Sequence, residues 1–132
     1  MKYLLDTHTM LWSIFSPGLI SSKADKIITD QDNMIYVSAV SFWEISLKYN
    51  IGKLELKNYT PDDIPGLSEK SGFEVLNLVP DDASSFYRIP KEIHRDPFDR
   101  MLIWQAIRNK LTVISKDDRF KDYQSYGLKV IW

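Results

Sequence analysis

The sequence predicts an α/β fold built on a parallel sheet covered on both faces. Two observations carry this. Short apolar runs alternate along the chain with longer stretches of helical spacing, the pattern of strand–helix crossover units. The chain is also 132 residues long, enough for one domain and too short for two of ordinary size. No internal repeat or low-complexity tract interrupts the alternation.

In order, Tyr3 to Leu5 reads as the first strand and Thr9 to Phe15 as the helix after it. Ser22 to Thr29 is a second helical stretch. Met34 to Val37 is the next strand, and Val40 to Asn50 the next helix. The polar stretch Gly52 to Gly72 holds Pro61, Pro65 and Gly66, with helical spacing from Pro61 to Lys70. Both its flanks supply apolar segments that one core needs, so it is read as a surface excursion within a single domain, 1–132. Phe73 to Leu78 is a strand and Asp81 to Arg88 a helix. A charged approach, Ile89 to Asp96, leads into the helix Pro97 to Asn109, and Thr112 to Ser115 and Leu128 to Ile131 are the last strands.

Composition excludes several classes of function. Hydrophobic residues make up 44% and charged residues 27%, a globular balance rather than a disordered one. Lys and Arg total 17 against 18 acids, so nucleic-acid binding would need a local basic rim. Cysteine is absent, which removes disulfides, thiolate metal sites and a cysteine nucleophile. The opening Met1-Lys2-Tyr3-Leu4-Leu5 is broken by Asp6 and is neither a signal peptide nor a membrane span. The expected setting is cytoplasmic, away from membranes.

In an open parallel sheet, ligands bind beyond the carboxyl ends of the strands. Asp6 directly follows the first strand, and Asp117 stands just past Val113-Ile114-Ser115. Either alone is explained by helix capping. Glu44 says more. It falls inside the stripe Val40, Trp43, Leu47 and Ile51 of its helix, where a carboxylate is costly without a partner. Arg100 is one candidate partner. Asp99 shares a face with Leu102, Ile103 and Ala106, while Gln105 and Arg108 point elsewhere. Asp96-Pro97-Phe98-Asp99 reads as N-cap, N1 proline and an acidic N3, and Asp96 is assigned to the cap.

Taken together, four acids from separate segments project toward one edge of the sheet. Carboxylates brought close repel, and protons or a cation must offset that repulsion. Hard oxygen donors without thiolates suit Mg²⁺ or Mn²⁺. Such an ion supports phosphodiester hydrolysis.

Leu4-Leu5-Asp6-Thr7-His8 through Leu11-Trp12, and Val37-Ser38-Ala39 through Trp43-Glu44-Ile45, resemble the opening blocks of the PIN-domain nucleases. His94-Arg95-Asp96-Pro97-Phe98-Asp99-Arg100-Met101-Leu102-Ile103 and Thr112-Val113-Ile114-Ser115-Lys116-Asp117 complete the series in order. Within that superfamily the chain is most similar to VapC-type toxins of toxin–antitoxin pairs. The resemblance implies a three-layer α/β/α domain and a metal-dependent endoribonuclease acting on RNA. It carries the catalytic and metal-binding acids onto Asp6, Glu44, Asp99 and Asp117. It also implies a homodimer and a cognate antitoxin. Ser115-Lys116-Asp117 matches the family's hydroxyl-x-Asp pattern, which leaves Asp118 as runner-up in the following short helix.

Thr7 and Ser115 are expected to orient carboxylates or a metal-bound water. His8 follows a presumed ligand on a first helical turn, where local hydrogen bonding is expected, and His94 lies in the charged approach as a candidate acid–base or substrate contact. Arg95, Arg100 and Lys116 border the acidic edge, and Arg100 is expected to pair with the cluster. Phe42, Ile45 and Tyr49 form a second apolar group opposite the Glu44 stripe. One of the two faces packs in the core, and the other either joins it or offers a surface to a partner; Trp12 and Phe15 extend the first helix in a similar way. Two other classes compete: a catalytically silent binding module, and a phospho-accepting receiver domain. The receiver class expects paired acids after its first strand, whereas Asp6 here is followed by Thr7 and His8.

Overall fold

The computed structural model describes every residue except Glu92, His94 and Arg95, so the His94 and Arg95 expectations lie outside the described residues. Five strands, β1 (Lys2–Leu5), β2 (Met34–Ser38), β3 (Glu74–Leu76), β4 (Thr112–Ile114) and β5 (Lys129–Ile131), form one sheet in the order β3-β2-β1-β4-β5. Every pairing is parallel. Helices α1 (Thr7–Phe15), α2 (Ser22–Thr29), α3 (Ala39–Asn50), α4 (Ile64–Lys70), α5 (Pro80–Ser85) and α6 (Pro97–Asn109) connect them, with 3-10 turns at Pro17–Leu19, Pro61–Asp63, Phe86–Arg88 and Asp118–Tyr126.

Strand alternation divides the interior into two cores and makes the fold three layers, α/β/α. Tyr3, Leu5, Ile35 and Val37 face Met10 of α1, Ala24 of α2, Ile45 of α3 and Ile64 of α4. Leu4 and Val113 face the other way, onto Leu102, Ile103 and Ala106 of α6 and onto Phe120 and Tyr123. Leu4 and Leu5 are fully inaccessible, each contributing roughly 1.5–3 kcal/mol of burial. Leu56 and Ile64 are buried in the first core, which is why the polar excursion after Gly52 stays on the body of the protein.

The chain runs β1, β2, β3 outward on one side, then returns to place β4 and β5 on the other. β1 and β4 therefore flank the point where the winding reverses, the place where an open α/β sheet leaves a crevice. Register brings Leu5 opposite both Val37 and Ile114. Asp6, Ser38 and Ser115 consequently emerge at one edge.

Helix α3 departs from the predicted stripe. Its buried positions are Val40, Ser41, Glu44 and Ile45, whereas Trp43, Leu47 and Ile51 are exposed. The helix sits with Val40 in the second core and Ile45, with Phe42 beside it, in the first. Its Glu44 side thus faces α1 at the edge of the sheet rather than an apolar interior. Helix α6 buries Leu102, Ile103 and Ala106 as expected. It also buries Gln105 completely, where it meets Ser38 and not solvent. No helix among the described residues is long and apolar enough to cross a membrane.

Candidate active site at the carboxyl edge of the sheet

Asp6 is the N-cap of α1, its Oδ1 accepting from the Thr9 amide at 2.8 Å. This cap draws the helix start two residues earlier than the apolar spacing suggests. The Ser115 hydroxyl, arriving from the end of β4, donates to Asp6 Oδ2 at 2.5 Å. Asp6 is 5% exposed. Burial pushes its carboxyl above the ordinary range, while the bonds from Ser115 and Thr9 favour the charged form and limit the rise.

Glu44, also buried, has its two oxygens engaged differently. Thr7 Oγ1 donates to Oε1 at 2.7 Å and lies 2.8 Å from Ser41 Oγ. The Lys48 ammonium, one helical turn along α3, pairs with Oε2. The partner expected from the sequence, Arg100, is elsewhere. Its guanidinium lies 4.7 Å from the centre of the Phe86 ring and reaches the Ile89 carbonyl at 3.4 Å, and its buried Nε has no partner. Arg100 follows Asp99 directly on α6, so its side chain is turned by about 100° away from that carboxylate, toward the segment before the helix. Its expected ion pair with the cluster is therefore not formed with any described acid.

Asp99 is half-buried in the first turn of α6, behind the cap formed by Asp96, which accepts from the Phe98 and Asp99 amides at 2.8 and 3.1 Å. Burial comes first, and the charges of Asp96, Glu44, Asp6 and Asp117 follow, in raising the Asp99 carboxyl to about 7. Asp99 thus feels every other member of the predicted set. Asp117, half-buried, caps the last 3-10 stretch through the Arg119 amide at 2.9 Å. The Arg119 guanidinium grips its Oδ2 at 2.8 Å. The Asp117 amide in turn donates to Ser115 Oγ at 3.1 Å. Asp118, whose side chain is 88% exposed, pairs with Lys121 on the surface; of the two neighbours, Asp117 is the one at the edge.

A cleft of about 240 Å³ opens beside these groups, lined by Asp6, His8, Trp12, Lys116 and Asp117. His8 is exposed and lies tilted against Trp12, with ring centroids 5.8 Å apart. Among the described residues no three His, Cys, Asp or Glu close into a ready metal cage. The donor set nevertheless fits a hard divalent cation. It offers carboxylate oxygens and no sulfur, and it carries like-charge repulsion that a cation would relieve.

Sequence reasoning passed over four contributors. Lys48 was detectable as the i+4 partner of Glu44. Ser38 was detectable as the cap of α3, accepting from the Val40 amide at 3.0 Å. Gln105 and Arg119 left no such signal. Gln105 accepts from Ser38 Oγ at 2.6 Å across 67 residues, tying α6, which carries Asp99, to the start of α3.

Among solved structures the fold is similar to a chain of VapBC from Salmonella typhimurium bound to DNA, at a TM-score of 0.69 and 20% identity, covering 99% of this chain and 97% of that one. It is likewise similar to a chain of VapBC2 from Rickettsia felis bound to a fragment of promoter DNA (TM-score 0.68, 15% identity, 99% and 98% covered). VapBC-1 from nontypeable Haemophilus influenzae gives 0.69 at 14% identity, with 99% and 97% covered. These identities speak to the fold alone. Among curated protein sequences nothing matches. The PIN domain family model matches residues 3–125, from the first strand through the Asp117 segment and including all four acids of the edge, and the chain belongs to that family.

Proposed function

We propose that this chain is a VapC-type ribonuclease toxin that hydrolyses RNA phosphodiester bonds. Asp6, Glu44, Asp99 and Asp117 would hold Mg²⁺ or Mn²⁺, and a cognate antitoxin would silence the activity. One observation carries this reading: Asp6, Glu44 and Asp117, from three other segments and up to 111 positions apart in sequence, all act on the Asp99 carboxyl at the start of α6. Family membership and the VapBC neighbours support it.

The chain's own residues do the positioning. Ser115 and the Thr9 amide fix the two oxygens of Asp6 from opposite elements. Thr7 orients Glu44, and Arg119 holds Asp117. When bound, a divalent ion supplies charge that grips phosphate oxygens and lowers the pKa of an attacking water. Lys116, His8 and Trp12 line the cleft beside Asp6. Cation and ring side by side suit a single strand, whose phosphates and unstacked bases both need partners.

A second apolar groove, about 360 Å³, starts at the same His8 and Trp12 and continues along Leu11, Phe15 and Leu54 to Tyr59. Phe15 is exposed and rests on Tyr59, ring centroids 5.5 Å apart. We assign this groove to the antitoxin segment, since an apolar peptide lying there would abut the acid edge. Homodimerisation belongs to the same reading.

The test is cleavage of a fluorogenic single-stranded RNA with Mg²⁺ or Mn²⁺, repeated with chelator and with Asp6→Asn and Asp99→Asn. Cleavage abolished in all three controls is expected. Cleavage that survives them would leave the acids without a catalytic role, and inert protein that binds RNA tightly would favour a silent binding module.

A further inference from the structure

Glu44 has a problem that the helix itself answers. Its side chain is 4% exposed, so water cannot compensate a full negative charge. Thr7 supplies one neutral hydrogen bond to Oε1. The other oxygen is covered by the Lys48 ammonium. An i,i+4 pair on an open helix face adds only about 0.3–0.5 kcal/mol. Here the carboxylate is sealed in and the lysine is not: the Lys48 side chain is 33% exposed. A flexible four-carbon stem of this kind can carry its ammonium out to water.

The other charged tether of the edge differs. Arg119 sits two residues from Asp117, engages both oxygens through its rigid fork, and lies largely in water. Lys48 alone among the described cations is seated on a buried acid of the cluster. Asp96 and Asp99 also act on it, so it answers to the cluster as a whole.

We propose that Lys48 is the built-in counter-ion of the acid edge: its ammonium occupies the Glu44 oxygen that a divalent cation would take, and it leaves that oxygen as the cation enters. This rests on the acid edge being a divalent-ion site and specifies how the site is kept folded before loading. Lys48 is a positioning residue in this scheme, exchanging one cation for another around an unchanged carboxylate.

The experiment is calorimetric titration of the full chain with Mn²⁺ alone, without RNA. Lys48→Met keeps the stem and removes the charge, so Mn²⁺ is expected to bind about tenfold more tightly than to the wild type. Lys48→Arg keeps the charge and is expected to stay within about twofold. Equal or weaker binding by Lys48→Met, with the wild type still binding, overturns the exchange and leaves the nuclease reading standing. No uptake by the wild type overturns both. The side-chain ammonium resonance of Lys48 in the wild-type protein gives a second readout that needs no variant. It should move to the position of a solvated lysine on saturation with Mg²⁺, and an unmoved signal overturns the proposal.

Discussion

Asp6 and Asp82 are equally inaccessible, each 5% exposed, yet they belong to opposite kinds of site. Asp82, on α5, accepts from Arg108 Nε at 3.0 Å and from Asn109 Nδ2 at 3.3 Å, both on α6. A cation and an amide answer one carboxylate, and nearby the Trp104 indole donates to Ser85 Oγ at 3.0 Å to close the same contact between the two helices. Asp6 receives neutral donors, the Ser115 hydroxyl and the Thr9 amide, and no ion pair among the described residues, and three further acids share its edge. The first arrangement is complete in itself and serves stability. The second crowds like charges together, and under the function proposed above a divalent ion would relieve that repulsion.

Exchanging the two acids in turn sharpens the contrast most. Asp6→Asn should lower divalent-dependent RNA cleavage by about a hundredfold or more while changing urea stability little. Asp82→Asn should do the reverse. It leaves Arg108 facing a neutral amide and costs about 1–3 kcal/mol in urea unfolding, with cleavage nearly unchanged. Equal effects of both on cleavage would break the distinction.

The next effect is on pH. An ordinary Asp ionises near 3.8, whereas Asp99 in the folded chain does so at about 7. Between these values the folded state holds a proton that the unfolded chain releases, so the contribution of Asp99 is fully present below about pH 4 and lost as pH rises through 7. Asp99→Asn removes that loss. In the absence of divalent ions the variant should be more stable than the wild type by roughly 1–3 kcal/mol at pH 8, and the two should converge near pH 4. Parallel denaturation curves across this range would show that the four acids do not share one field.

The smallest change concerns orientation. Thr7→Val keeps the shape of the side chain and removes the donor to Glu44, which should weaken Mn²⁺ binding about tenfold without a comparable loss of fold stability. Calorimetry on the variant reads this directly. Unaltered affinity would mean that the Thr7 hydroxyl does not orient Glu44 for the cation.

Much of this molecule is legible without coordinates because strand and helix periods are local. The runs Tyr3 to Leu5 and Thr112 to Ser115 reveal their ends: Asp6 directly follows the first, Ser115 closes the second and Asp117 stands two residues beyond it. The cap at Asp96 is likewise written in four consecutive residues. Glu44 was found for an incomplete reason. Its predicted apolar stripe is exposed at Trp43, Leu47 and Ile51, because α3 straddles two cores and periodicity cannot say which of two apolar faces turns inward. Arg100 was misassigned for a related cause. Adjacency in sequence put it near the acids, but neighbouring helical residues diverge by about 100°, and its guanidinium settled over Phe86.

The sequence by itself determined the α/β class, and it singled out the four acids and the side of the sheet they approach, since strand ends and helix starts follow from patterns a few residues long. Only the tertiary structure decided which partner each group takes: Lys48, which the i+4 spacing allowed without requiring, and not Arg100 for Glu44, Ser115 for Asp6, Arg119 for Asp117, and Gln105 for the join between α3 and α6. Charge and hydrogen bonding act through space over a few ångströms. The 109-position separation of Asp6 and Ser115 means nothing to that bond once β1 and β4 lie side by side.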